Sequence, residues 1–268
     1  MLIYSKCKFL ASMSWLDMAP LWEIGLLLLS ALTMAVAIGY AAQSRLQRKT
    51  DVGIEPPFGG AHLLSAALSL LALLLGFSFS MAMDRYDARR QLVIQEANAL
   101  GTTWLRVQLL NEPDRTLMSD LLRRYIDARL VWSESAAETP PEIATVFLQQ
   151  QLWAATGVSL RSDSPPLLSR GVMDSLNESI DLAATRTATR AAHIPDFVQG
   201  LLLVYAILSM AMLGTVLGNS LKLHLPQTAL LLVLLTLAHL MVLDLDRPRA
   251  GSIQVSQQPM EDLRQSID

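Results

Sequence analysis

The chain has 268 residues, 52% hydrophobic and 17% charged, with 21 Lys+Arg against 24 Asp+Glu and a formal net charge of −3. Such a near-neutral chain has no basic field to gather phosphates, so no nucleic-acid partner is expected. Its single cysteine, Cys7, can form neither an intramolecular disulfide nor a thiolate metal site.

The charges are unevenly spread: 27 lie between Asp84 and Asp196, while Ile24–Ser44, Ala61–Met83, Phe197–Leu221 and Leu225–Leu243 contain none. Each charge-free run is close to the ~20 apolar residues that cross a bilayer. These runs predict an all-α membrane protein with four transmembrane helices and a helical extramembrane region between the second and third. The expected organisation is a lead-in over 1–23, spans one and two within 24–83, the helical region over 84–196, spans three and four within 197–244, and a tail over 245–268.

In chain order, Lys6 and Lys8 precede Phe9–Leu16, an apolar stretch interrupted by serines and followed by Asp17. With no small-residue cleavage site it reads as a lead-in rather than a signal peptide. The first span, Ile24–Ala42, is closed by Arg45, Arg48 and Lys49. The Gly/Pro-rich stretch Val52–Gly60 predicts a turn and an antiparallel return. No proline occurs from Ala61 to Glu112, and beyond the apolar run Val93, Ala97, Leu100, Trp104 and Val107 keep helical spacing. One helix over Ala61 to Leu110, roughly 75 Å long at 1.5 Å per residue, is therefore expected.

Asn111-Glu-Pro-Asp114 reads as a helix start, with Leu117, Leu121, Tyr125, Ala128 and Trp132 on the apolar face that follows. Thr139-Pro-Pro-Glu142 repeats the start signal, with Gly157 as the expected stop. Ser164-Pro-Pro introduces a further helix whose face is Leu168, Val172, Leu176, Ile180 and Ala183. Pro195 separates it from the third span, and a short turn around Leu221–Pro226 leads into the fourth.

Four spans put both termini and the central region on one side. That side carries Lys6, Lys8, Arg85, Arg89, Arg90, Arg186, Arg190, Arg247 and Arg249 near membrane ends; the other carries Arg45, Arg48, Lys49 and Lys222. The excess predicts a cytoplasmic central region, although the central region's own arginines supply all of it, and long loops weigh less in this rule.

Ser65, Ser69, Ala72, Gly76, Ser80 and Asp84 fall on one face of the second span, with Leu73 and Phe77 at its edge and Asp87 continuing it. Small residues in a stripe allow close helix packing. The same stripe also suits a water-lined pathway, with Leu73 and Phe77 as an apolar constriction. Next comes Asp84-Arg85-Tyr86-Asp87-Ala88-Arg89-Arg90, in which only Asp87 and Arg90 form a favourable i,i+3 pair. It reads either as a solvated helix face or as a vestibule of Arg85, Asp87, Arg89 and Arg90 that concentrates anions.

Two aspartates, Asp244 and Asp246, end the fourth span, where negative charge opposes the helix dipole, so Arg247 and Arg249 are their expected partners. Alone they are a poor calcium site, and no metal or cofactor is expected. Gly214-Thr-Val-Leu-Gly218 has the GxxxG spacing of a tight helix contact. His239 lies inside the fourth span, where hydrogen bonding to a neighbouring helix is the expectation.

The segment Phe79-Ser-Met-Ala-Met-Asp-Arg-Tyr-Asp-Ala-Arg-Arg90 resembles bestrophins, in which an arginine followed by two aromatics sits at a similar place; Arg85 and Tyr86 match and Asp87 departs. Together with Gln95-Glu-Ala-Asn-Ala-Leu-Gly-Thr-Thr-Trp-Leu-Arg106 and Asp244-Leu-Asp-Arg-Pro-Arg-Ala-Gly251, it is similar to the bestrophin-like family of mainly prokaryotic membrane proteins, over most of Ala61–Gln257. Bestrophins are pentameric anion channels whose second helix lines the pore. The resemblance thus implies a homo-oligomer in the lipid bilayer of the bacterial inner membrane, passing chloride or other small anions, with pore-lining Ser69, Ala72, Leu73, Gly76, Phe77, Ser80 and Asp84. The acidic calcium-binding segment of some bestrophins is not matched. The alternative is a membrane-anchored interaction or sensory module whose helical region binds a partner. No Walker loop, GxSxG elbow or HExxH helix is present, so an enzyme is not expected.

Overall fold

The computed structural model describes residues 19–49, 59–135, 143–161, 165–218, 224–248 and 251–267. Most of the lead-in, nearly all of the Gly/Pro turn, the Thr139–Glu142 start signal, Ser164, most of the turn before the fourth span and Arg249 lie outside them. All regular structure among the described residues is helical. The helices are α1 (Leu21–Lys49), α2 (Gly59–Val107), α3 (Asp114–Glu134), α4 (Ile143–Ser159), α5 (Pro166–Ala191), α6 (Asp196–Gly218), α7 (Leu225–Asp246) and α8 (Gln258–Ser266). Four of these helical segments are long and apolar enough to cross a membrane. The protein is an all-α membrane protein.

The chain divides into two compact units, Met1–Met83 with His193–Gly251, and Asp84–Ala192 with Ser252–Asp268. In the first, Leu28, Leu32 and Ala35 of α1 pack with Leu71 of α2, Leu202, Ala206 and Met210 of α6, and Leu232 and Leu235 of α7. Hydrocarbon gives little hydrophobic drive between helices, so close fit decides which surfaces meet. Here two glycines make the fit. A Cβ on Gly39 would lie 1.9 Å from the Ala211 carbonyl oxygen, and one on Gly214 would lie 2.1 Å from that of Val36. The GxxxG of α6 thus lets its backbone touch that of α1.

The second unit has its own core. Val93, Leu100 and Val107 of α2, Met118, Leu122, Tyr125 and Ile126 of α3, Leu152 of α4, and Val172 and Leu176 of α5 are buried together. Trp104 packs against this core from its edge, as does Leu168. α2 closes with turns from Leu109 N–H to the Arg106 carbonyl and from Leu110 N–H to that of Val107.

Two local expectations need correction. No side chain at the N-cap position, Pro113, bonds the start of α3; the Glu112 carboxylate accepts from the Thr116 N–H and, at 2.7 Å, from its hydroxyl. Hydrogen bonds from Thr116 and Arg115 hold that carboxyl below its usual range. α4 runs through Gly157 and ends at Ser159, since a helical glycine costs only about 1 kcal/mol. The tail contains a helix, α8, which belongs to the second unit. Met260 and Ile267 are buried in that unit's core, Arg123 Nε donates to the Ile267 carbonyl at 2.9 Å, and Arg264 pairs with Asp127 at 2.6 Å.

Candidate functional site

Within the first unit α2 turns one face inward. Leu64, Leu71, Ser78 and Ala82 are buried, and Ser78 satisfies its hydroxyl on the Leu74 carbonyl at 2.9 Å. The predicted stripe is the opposite, open face: Ser65, Ser69, Ala72, Leu73, Gly76, Phe77 and Ser80 are all exposed within the chain. A Cβ added to Gly76 would meet nothing within 4 Å. Close packing inside the chain is therefore carried by Gly39 and Gly214, not by this stripe. Its upper part forms an open groove of about 430 Å³ lined by Ala61, Leu64, Ser65, Leu68, Ser69 and Ala72.

Several hydroxyls on the other membrane helices are satisfied by their own helix. Ser30 and Thr33 of α1 are also exposed, yet each donates to a carbonyl of its own helix, at 2.8 and 2.7 Å. Thr215 and Thr236 do the same. Among the described residues, the hydroxyls of Ser65, Ser69 and Ser80 have no hydrogen-bond partner.

The polar segment of α2 belongs to the second unit. Asp84 and Arg90 are exposed, Arg85 and Asp87 half-buried. Arg89 is buried and donates from Nη2 to the Ala192 carbonyl at 2.7 Å, just past the end of α5. It serves the C-terminal carbonyls of that helix, where a cation is favoured.

Lower on α2 lies a cluster that the sequence reading missed. Glu96 is fully buried, and Arg129 grips it side-on, Nε to Oε1 at 2.6 Å and Nη2 to Oε2 at 3.1 Å. Arg186 Nη1 meets Oε2 at 2.6 Å, and its Nη2 donates to the Gln257 side-chain oxygen ahead of α8. Arg190 donates to the carbonyls of Trp132 and Ser135. The Trp132 ring has the guanidinium carbons of Arg129, Arg190 and Arg186 at 4.1, 4.5 and 5.4 Å from its centroid. Charge-assisted bonds of this geometry fix α2, α3 and α5 in one register. The signal was present in the sequence: Glu96 lies beside Val93, Ala97 and Leu100 on an apolar face, and Arg129 falls between Tyr125 and Trp132 on another.

In the first unit, the Asp246 carboxylate accepts the Ile194 N–H at 3.0 Å and Gln199 Nε2 at 3.1 Å, and the Asp246 carbonyl faces His193 Nδ1 at 3.2 Å. An aspartate that opposes the dipole at the end of α7 therefore also sits at the start of α6, where negative charge is favoured. Arg247 donates to the Ala19 carbonyl at 2.9 Å. His239 is buried and bonds through Nδ1 to the Leu235 carbonyl at 2.9 Å, which is on its own helix rather than a neighbouring one. Among the described residues no His, Cys, Asp and Glu side chains gather as a metal site.

A family model described as bestrophin-like domain matches residues 60–260. The chain belongs to the bestrophin-like family. Among solved structures, a bestrophin-like chain of this kind is similar to a bacterial bestrophin homologue from Klebsiella pneumoniae, with a TM-score of 0.66 at 14% identity, covering 88% of this chain and 96% of that one. A structure of the Klebsiella pneumoniae homologue bearing one substitution gives a TM-score of 0.64 at 16% identity, covering 90% and 97%. At such identities the likeness establishes the bestrophin fold and nothing finer. No curated protein matches the chain in sequence.

Proposed function

We propose that this bestrophin-like protein is a homo-oligomeric channel for chloride or other small anions in the bacterial inner membrane, with its termini and second unit in the cytoplasm. The α2 stripes of several copies enclose the pathway: Ser69, Ala72, Gly76 and Ser80 face the lumen, Leu73 and Phe77 narrow it, and Asp84 stands at its mouth. Arg85, Asp87 and Arg90 form the vestibule, while Arg89 anchors the end of α5. The observation that carries this reading is the open stripe whose hydroxyls have no hydrogen-bond partner among the described residues. Such groups suit water, because hydrocarbon offers them no partner.

Protein reconstituted in liposomes should carry chloride current. Phe77→Ala should raise the conductance, and single cysteines at Ser69, Gly76 and Ser80 should react with water-borne thiol reagents. An electrically silent preparation of intact oligomers, or cysteines that react only with lipid-soluble reagents, would overturn the proposal.

A further inference from the structure

Within the second unit, α4 differs from its neighbours in charge. The exposed residues of α3 include Asp120, Arg124 and Asp127, and those of α5 include Asp174, Glu178 and Asp181. Ile143–Ser159 contains no charged residue, and the first charges beyond it are Glu142 and Arg161. One face of α4 belongs to the core, through Leu148 and Leu152. The opposite face is open and apolar: Ile143, Val146, Phe147, Trp153 and Val158 are 89, 44, 53, 45 and 52% exposed. At 3.6 residues per turn they fall within an arc of about 140°, in which Gln150 is the polar member. Where the helix ends, the guanidinium nitrogens of Arg161 lie 4.0 Å from a Cβ built on Gly157, which gives the patch a charged rim there.

An open apolar face of this breadth marks a contact surface. A membrane surface is a poor match for it. Helices that lie on bilayers carry Lys and Arg on a solvated polar face, whereas α4 has neither residue and its second face is protein core. A freely diffusing partner is a poor match too. Half-open aromatic rings offer roughly 100 Å² each, and five side chains of such openness reach roughly half of the ~800 Å² per partner in a stable interface. A second copy of this chain escapes that limit. Its own membrane helices hold it in the same bilayer, which raises its effective concentration beside α4. An uncharged face also brings no like-charge repulsion between identical chains.

We propose that the α4 face centred on Phe147 and Trp153 is a self-association surface, which packs against the second unit of a neighbouring copy. It rests on the homo-oligomer proposed above and gives that oligomer a second contact, outside the α2 stripe. Phe147 and Trp153 are its anchors, because buried aromatic side chains carry much of the energy of such contacts.

Phe147→Glu and Trp153→Glu place a charge in the contact and leave the core side of α4 unchanged. Full-length protein in detergent, sized by light scattering over a dilution series, should be an oligomer. Its dissociation midpoint should rise roughly tenfold or more in either variant, with a native far-ultraviolet circular dichroism spectrum. Benzoylphenylalanine in place of Phe147, irradiated in the membranes of expressing cells, should give covalent dimers of this chain. The cross-link reads the contact without adding a charge, so it decides the matter where a glutamate variant fails to fold. A wild-type oligomer whose midpoint is unchanged in both folded variants overturns the α4 contact. Cross-links to lipid alone, or to a different protein alone, do so as well. Silent liposomes made from an intact, α4-dependent oligomer would sink the channel and leave this surface standing. A chain that is monomeric in both detergent and lipid removes the oligomer, and both proposals with it.

Discussion

Replacing Glu96 by glutamine tests how the second unit is held. The substitution keeps the shape and removes the charge. In the native protein one carboxylate takes three short bonds from two guanidiniums: 2.6 and 3.1 Å from Arg129 and 2.6 Å from Arg186. A glutamine amide turns an NH2 toward donors on at least one side, so one of those bonds becomes a donor–donor contact. Breaking a buried pair by removing one partner costs about 3–5 kcal/mol, and that is a large part of a domain's total of ~5–15 kcal/mol. At roughly 2–4 °C per kcal/mol for a protein of this size, the unfolding midpoint should fall by on the order of 10 °C. Near-ultraviolet circular dichroism of the purified protein in detergent would follow it, since Trp132 sits among the affected arginines. Glu112→Gln is the control: its partner Arg115 is 45% exposed, and its midpoint should stay near the native one. Equal midpoints for the two variants would refute the reasoning, because the buried carboxylate would then contribute no more than a solvated one.

Gly214→Ala should destabilise the first unit by about 1–3 kcal/mol, because the added methyl meets backbone rather than a flexible side chain; Gly76→Ala should be silent in the same detergent unfolding assay. Met260→Ala should cost about 2–5 kcal/mol, since Met260 is fully buried in the second core, and limited proteolysis should then release the tail first. Ultraviolet absorbance should show Tyr125 ionising well above the ordinary phenol range. Its raised value means that the neutral phenol contributes stability that is complete below pH ~10 and lost as pH rises through ~12, about 3 kcal/mol in all; Tyr125→Phe should remove that alkaline step.

The spans and the long second helix were legible because both signals are local. A charge-free run of bilayer length has one economical structure, and an apolar stripe uninterrupted by proline continues a helix. α8 was missed, although Met260, Leu263 and Ile267 share a helical face, because a short polar segment becomes ordered only through the core it covers. The arginine cluster was missed for a different reason. Glu96, Arg129, Arg186 and Arg190 lie on three helices, and each taken alone looks like an ordinary solvated charge. Glu96 and Arg129 fall on apolar faces, which is the sign that a partner awaits each across the core, but only the fold reveals which partner that is. Asp246 of α7 is similar: the start of α6 supplies it with bonds that no spacing along the chain could indicate.

Along α2 the treatment of polar groups changes, and the change bears on function. In its lower half Glu96 and Thr103 are buried and bonded, Thr103 to both the Ala99 carbonyl and the Ser179 hydroxyl. In its apolar half, Ser65, Ser69 and Ser80 are exposed, with hydroxyls unbonded among the described residues. A lipid-facing hydroxyl has an inexpensive remedy, which Ser30 and Thr33 adopt by donating to their own helix carbonyls. Leaving three hydroxyls unpaired in hydrocarbon would instead cost about 1–3 kcal/mol each. Water, or another copy of α2, removes that cost without constraining a rotamer. Under the proposed channel, the face that the fold leaves open is the one whose polar groups have most to gain from an aqueous lumen.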